Sequence, residues 1–189
     1  MREAETSGGW QRKAKGCGCL LLLFLLLPLL LLKACLWSDE HPSDRVMVEE
    51  FQSHRGEFSE LLKMISEERR VTRIADDFIW IDGAGSVDAP DRSRYLSDAR
   101  LARYRSLFKR LKLESGIVRR EDGSVGFLRS SSGIVTGGSG KAFIWSKPPI
   151  SPVLAPSDHR SLEEACIPKS QCSSMRLIAP EWYIAFDSD

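Results

Sequence analysis

The sequence offers little to a metal or a phosphate. Only three histidines stand in 189 residues, at positions 41, 54 and 159, and there is no H-E-x-x-H motif. A zinc-hydrolase reading therefore has no ligand set to start from. Net charge is nearly absent as well: 27 Lys+Arg against 26 Asp+Glu leave +1. That balance excludes a dedicated nucleic-acid binder, which needs a basic face. Cysteine is scarce, with Cys17, Cys19 and Cys35 near the N-terminus and only Cys166 and Cys172 after them. Apolar residues still make up 42% of the chain, enough to build a core, so wholesale disorder is excluded.

What the chain does have is a block of leucine. Leu20 to Leu32 contains no polar residue, and the 22 residues from Gly16 to Trp37 carry one charge. A membrane helix needs about 20 apolar residues. Arg12, Lys13 and Lys15 precede the block and Trp37 follows it, where positive-inside flanks and an interfacial aromatic would stand. The spacing predicts a basic cytoplasmic tail over 1–16, a transmembrane anchor or signal segment over 17–37, a linker over 38–45 and an α+β domain over 46–189. A lipoprotein signal competes with the anchor: Leu32-Lys33-Ala34-Cys35 resembles a lipobox, with Cys35 as the lipidated residue, although Lys33 replaces the usual small residue. Either way the domain is exported, and the expected location is the bacterial inner membrane, single-pass, with the domain in the periplasm. Cys17 and Cys19 read as small residues at a helix end or as acylation sites.

Residues 1–37 hold five basic and two acidic groups, so the remaining 152 carry a net −2. After the linker, Met47, Phe51, His54, Phe58, Leu61, Leu62 and Ile65 recur at helical spacing and predict one helix of about 20 residues capped by Ser43. Val71–Ile81 is β-branched and aromatic and reads as a strand. Ser97 opens a second helix with Leu101, Tyr104, Phe108 and Leu111 on one face, and Arg100, Arg103, Arg105, Lys109 and Arg110 elsewhere. That basic face reads as solvated surface, with phosphate or anionic lipid as the sharper alternative.

Beyond Gly116 the period becomes two. Asp122-Gly123 predicts a hairpin, and a two-residue loop there pairs Val118 with Phe127 and Ile117 with Leu128. Ser130–Gly140 reads as a turn, Ala142–Ser146 as a strand, and Lys147–Pro156, with four prolines, as irregular chain. A last hairpin over Met175–Phe186 turns at Pro180-Glu181 and places Met175, Leu177, Trp182, Ile184 and Phe186 on one core face. The expected fold is α+β: an N-terminal hydrophobic helix, then an antiparallel sheet of five or six strands with two amphipathic helices on one face.

Cys166 and Cys172 have the C-x5-C spacing of a local disulfide in an exported domain. A metal pair completed by His159 would have only three ligands at no recognised spacing. Gly137-Gly138-Ser139-Gly140-Lys141 approaches a phosphate loop, but Val135 stands where the first glycine belongs and Ala142 where the magnesium hydroxyl belongs. Asp76, Asp77 and Asp82 do not converge on a strand, where neighbouring side chains point to opposite faces. No cofactor is expected.

The segments FxxHRxEFxxLLxMI (Phe51–Ile65), RIADDF (Arg73–Phe78), LSDARLARYRSLFKRLKL (Leu96–Leu113), SSSGIVTGGSGKAFIWS (Ser130–Ser146) and EWYIAF (Glu181–Phe186) resemble a family of small uncharacterised bacterial envelope proteins with an N-terminal membrane or lipoprotein signal. The resemblance covers residues 45–189. It implies export and a small α+β domain, and it carries no catalytic residue. The chain departs from the pattern at Cys166/Cys172 and at Ala179-Pro180-Glu181.

The function expected is therefore non-enzymatic: a membrane-tethered periplasmic domain that binds an envelope protein or component. Phe143 and Trp145 are its candidate contact pair, with core packing as the rival role. The alternatives are an envelope hydrolase using Ser132 or Ser139 with His159, and an inhibitor or immunity-type protein.

Overall fold

The computed structural model describes residues 41–86, 91–134, 137–151, 153–155, 157–166 and 171–189. The chain divides into two units, Met1–Glu40 and His41–Asp189. The leucine block, Cys35 and the tail lie outside the described residues. Among the described residues no helix is long and apolar enough to cross a membrane.

The second unit is α+β. Helices α1 (Asp44–Ser53) and α2 (Arg55–Glu67) come first. The predicted single helix breaks at His54, which leaves helical geometry at φ −122°, ψ 23°. The apolar stripe survives the break: Met47, Phe51, Phe58, Leu61, Met64 and Ile65 are buried. Ser43 caps α1 by accepting the Val46 N–H. His54 is a boundary residue, 38% exposed and 3.4 Å from Glu57.

Strands β1 (Val71–Ile74), β2 (Ile79–Ile81) and β3 (Ala84–Ser86) follow. The run read as one strand is thus two, folded back at Asp76-Asp77, residues that favour turns over strands. Helix α3 (Asp98–Leu111) is capped by Ser97, as its sequence predicts. Then come β4 (Ile117–Arg119), β5 (Val125–Ile134), β6 (Gly137–Trp145), the short helix α4 (Leu162–Ala165), β7 (Cys172–Ala179) and β8 (Trp182–Ser188). These make one antiparallel sheet in the order β3-β2-β1-β4-β5-β6-β8-β7. Its eight strands exceed the five or six expected, through the β1/β2 split and the added β3.

Three local expectations change. The β4–β5 register is Ile117↔Phe127 and Val118↔Gly126, one residue from the prediction. The loop holds three residues rather than two: Arg120 N–H donates to the Ser124 carbonyl, and Gly123 sits at φ +82°. A type I turn closed by a left-handed glycine adds that residue. Second, within the run read as a turn, Ser130–Ile134 and Gly137–Gly140 are the paired ends of β5 and β6. Third, a register shift between Leu177 and Ala179 turns Met175 and Leu177 away from Trp182, Ile184 and Phe186. Met175 packs on the other face, and Leu177 is 55% exposed.

One sheet face carries the helices and the main core, from Phe58 and Tyr104 to Phe127, Phe143 and Ile184. On the other face, Ile150 and Val153 of the proline-rich segment pack against Ala142, Ile144, Tyr183 and Ala185. Arg119 anchors the C-terminal end of α2 by donating to the carbonyls of Ile65, Glu68 and Arg69, in the last turn and just beyond it.

Candidate functional site

Four places hold the chemistry of this domain. The first is a groove of about 520 Å³ between α2 and the β4–β5 hairpin. Ile65 and Val125 form its buried floor, Leu62 and the Trp145 indole its apolar wall, and Lys63 and Arg119 its cations. Among the described residues no carboxylate lines it. Glu181 accepts from Trp145 Nε1 at 3.2 Å. Of the candidate contact pair, Trp145 therefore borders a groove, whereas Phe143 is fully buried and stacks among Phe51 and Phe58. Phe143 belongs to the core and offers no surface.

The second place is the end of the β5–β6 ladder. His41 Nδ1 lies 2.8 Å from Ser130 Oγ, and its Nε2 lies 2.8 Å from Ser139 Oγ. Ser139 thus meets a histidine, but not the one the sequence suggested. His159 is exposed, and among the described residues no hydrogen bond joins it to a serine. Its neighbour Asp158 pairs with Arg160 at 2.7 Å, which holds that carboxyl down to about 2. Ser132 pairs with Ser139 across the ladder and takes no part in the histidine contact.

A neutral imidazole has one donor and one acceptor nitrogen. In that form one serine gives its proton to His41 and the other accepts. In a Ser–His–Asp triad a carboxylate holds the second nitrogen and stabilises the imidazolium. Here a hydroxyl stands there, and a hydroxyl supplies no charge.

The third place surrounds Lys141, which is wholly buried. Its Nζ reaches Asp44 Oδ1 at 2.7 Å, Glu163 Oε1 at 2.7 Å and the Pro42 carbonyl at 2.8 Å. Asp44 Oδ2 accepts from Leu162 N–H at 3.2 Å and lies 3.5 Å from Arg176 Nε. Burial pushes the Glu163 carboxyl up, but hydrogen bonds from Lys141 and from backbone outweigh it and leave the group below its ordinary value. The cluster joins β6, α1, α4 and β7.

Sequence reasoning missed this cluster because it met Lys141 only as the end of a failed phosphate loop. Its signal was period two: Lys141, Phe143 and Trp145 share one strand face, so a core-facing Phe143 implies a core-facing lysine. The S-x-x-E spacing of Ser161 and Glu164 also announces the capping box that starts α4.

The fourth place is the cysteine pair. Cys166 and Cys172 are joined as a disulfide, with Cα atoms 5.5 Å apart. Among the described residues no group of three His, Cys, Asp or Glu side chains could hold a metal ion. The basic face of α3 is answered by acids and carbonyls: Arg100 meets Glu67 and Glu68, Arg103 meets Glu60 at 2.7 Å, and Arg105 donates to the Asp76 carbonyl. Asp82 pairs with Arg70, so the aspartates of this region form no acid pair.

No family model, curated protein or solved structure matches this chain.

Proposed function

We propose that this chain is a membrane-tethered domain of the bacterial envelope that acts by binding. Residues 17–37 hold it to the inner membrane, and the domain works in the periplasm on an envelope protein or component. The observation that carries the binding reading is the groove beside Trp145. An open apolar cleft within the 300–1,000 Å³ range, edged by polar groups, is the ordinary form of a ligand site. The disulfide supports export, because such bonds persist in oxidising compartments.

The test is a photo-reactive residue in place of Ser59, on the groove's rim, in the full chain in its own membrane. One discrete adduct is expected, lost on Trp145→Ala. The same probe at Arg45, far out on α1, gives none. Silence at position 59, or equal adducts at both positions, defeats the reading.

A hydrolase is the second reading, and the His41–Ser139 contact favours it. A serine whose proton is taken by a histidine is an activated nucleophile. The full chain is expected to show no fluorophosphonate labelling above the Ser139→Ala background, since hydroxyls occupy both ring nitrogens. Labelling at Ser139 that vanishes in His41→Ala would replace the binding reading with catalysis.

A further inference from the structure

The Lys141 cluster holds more than an ion pair needs. A lysine ammonium has three protons and here three acceptors, so the cluster is saturated without help. Yet Arg176 Nε is buried, makes no hydrogen bond and sits 3.5 Å from Asp44 Oδ2. A second donor, Leu162 N–H, already holds that oxygen at 3.2 Å. One donor bound to a carboxyl oxygen and a second, unspent donor 3.5 Å from it are the parts from which an oxyanion site can be made. A buried amine lies against the same carboxyl group, and a second carboxylate, Glu163, touches the same nitrogen.

We propose that Lys141 and Asp44 condense into an intramolecular isopeptide bond, with Glu163 as the proton carrier. Glu163 takes one proton from Nζ and passes it to Asp44 Oδ1. The freed amine attacks Asp44 Cγ. The negative charge that develops on Oδ2 is met by Leu162 N–H and by Arg176 Nε. Glu163 then moves a second proton from nitrogen to Oδ1, which leaves as water. The Cγ–Oδ1 bond breaks, the Nζ–Cγ bond forms, and one proton stays on the amide nitrogen. Nothing is oxidised or reduced, and Glu163 ends as it began.

Two physical conditions favour the step. The reacting groups are already in contact, so no association entropy opposes them. Lys141 is wholly buried, which keeps water from the product. The reactive proton arrangement is the minor one, so the bond forms slowly after folding and accumulates because it does not reverse. Once made, it ties the first residue of α1 to β6, an interior strand of the sheet. Tension entering the domain from its N-terminal side then passes directly to that strand.

The experiment is intact mass and an unreduced tryptic map of the full chain taken from membranes. The expected mass is one water below the sequence value, beyond the two hydrogens of the disulfide. Trypsin no longer cuts after Lys141, and the peptide ending at Arg45 appears joined to Ser130–Arg160. Glu163→Gln and Lys141→Arg are expected at full mass. In the same digest Ser161–Lys169 joined to Ser170–Arg176 reports the disulfide and certifies that native, exported protein was sampled. A wild-type chain with that disulfide but no water loss overturns the bond, and the cluster is then an ion pair alone. A Glu163→Gln chain still fully linked overturns the role of Glu163. The wild-type mass decides the matter even if a variant does not fold.

Discussion

Phe58→Ala is expected to cost about 3–5 kcal/mol of folding stability, the range for removing a buried phenyl ring. Phe58 is 1% exposed and touches four other rings. Its centroid lies 5.5 Å from Phe51, 5.5 Å from Phe127, 4.7 Å from Phe143 and 5.7 Å from Trp182. Those partners come from α1, β5, β6 and β8, so the ring is where the helix layer keys into the sheet. Two of the contacts are edge-on, at 79° and 68°, an arrangement that adds to area burial. Alanine leaves a cavity that rigid strands on one side cannot close. Urea unfolding of the full chain in detergent, followed by tryptophan fluorescence, measures the loss directly, because Trp182 reports on the same cluster. Leu177→Ala is the control. Leu177 stands 55% exposed on β7, and its loss is expected within about 0.5 kcal/mol. A Phe58 loss no larger than the Leu177 loss would mean that the helices do not rest on this cluster.

How much of this could be read in the chain depends on what set each feature. Apolar spacing within a helix is local, and it placed Ser43, Ser97 and the buried faces of α1, α2 and α3 correctly. Turn chemistry is local too, and Asp122-Gly123 and Pro180-Glu181 are turns in the structure. Register is not local. One residue in the β4–β5 loop and one bulge in β7 reversed side-chain faces, because a strand alternates with period two. Ser130–Gly140 looked like a turn because serine and glycine have low strand propensity, but pairing of β6 with strands on both flanks overrides propensity. The candidate sites depended on contacts still longer in sequence. His41 meets Ser139 across 98 positions, and Lys141 meets Asp44 across 97. Nothing within a window around either residue announces the other. Trp145 was legible as a candidate because it stands next to the proline segment, whereas the helix that completes its groove lies some 80 positions earlier.

Gly116→Ala is expected to be worse than an ordinary cavity mutant, with a loss of about 4 kcal/mol or more. Two separate penalties meet at this residue. Gly116 has φ +71°, a conformation that costs an L-residue roughly 1–2 kcal/mol. A Cβ there would also lie 2.0 Å from the Ile74 carbonyl oxygen and 3.0 Å from Ala75 Cα, both backbone atoms. Side chains can swing aside, but this carbonyl belongs to β1, and β1 pairs with β4 through Ile74↔Ile117 and Arg73↔Val118. Relief of the clash must therefore open the seam that joins β1, β2 and β3 to the rest of the sheet. Gly123→Ala separates the two penalties. Gly123 has nearly the same backbone, at φ +82°, but nothing lies within 4 Å of its Cβ position. Its loss is expected to stay near the conformational cost of about 1–2 kcal/mol. Equal losses at the two glycines would show that the β1–β4 seam yields freely. Unequal losses, with amide exchange in Gly116→Ala rising first in β1 and β2 while β6 and β8 stay protected, would mark the seam as the line along which this sheet divides, since only two residue pairs cross it while β6 is paired along nearly its whole length on both sides.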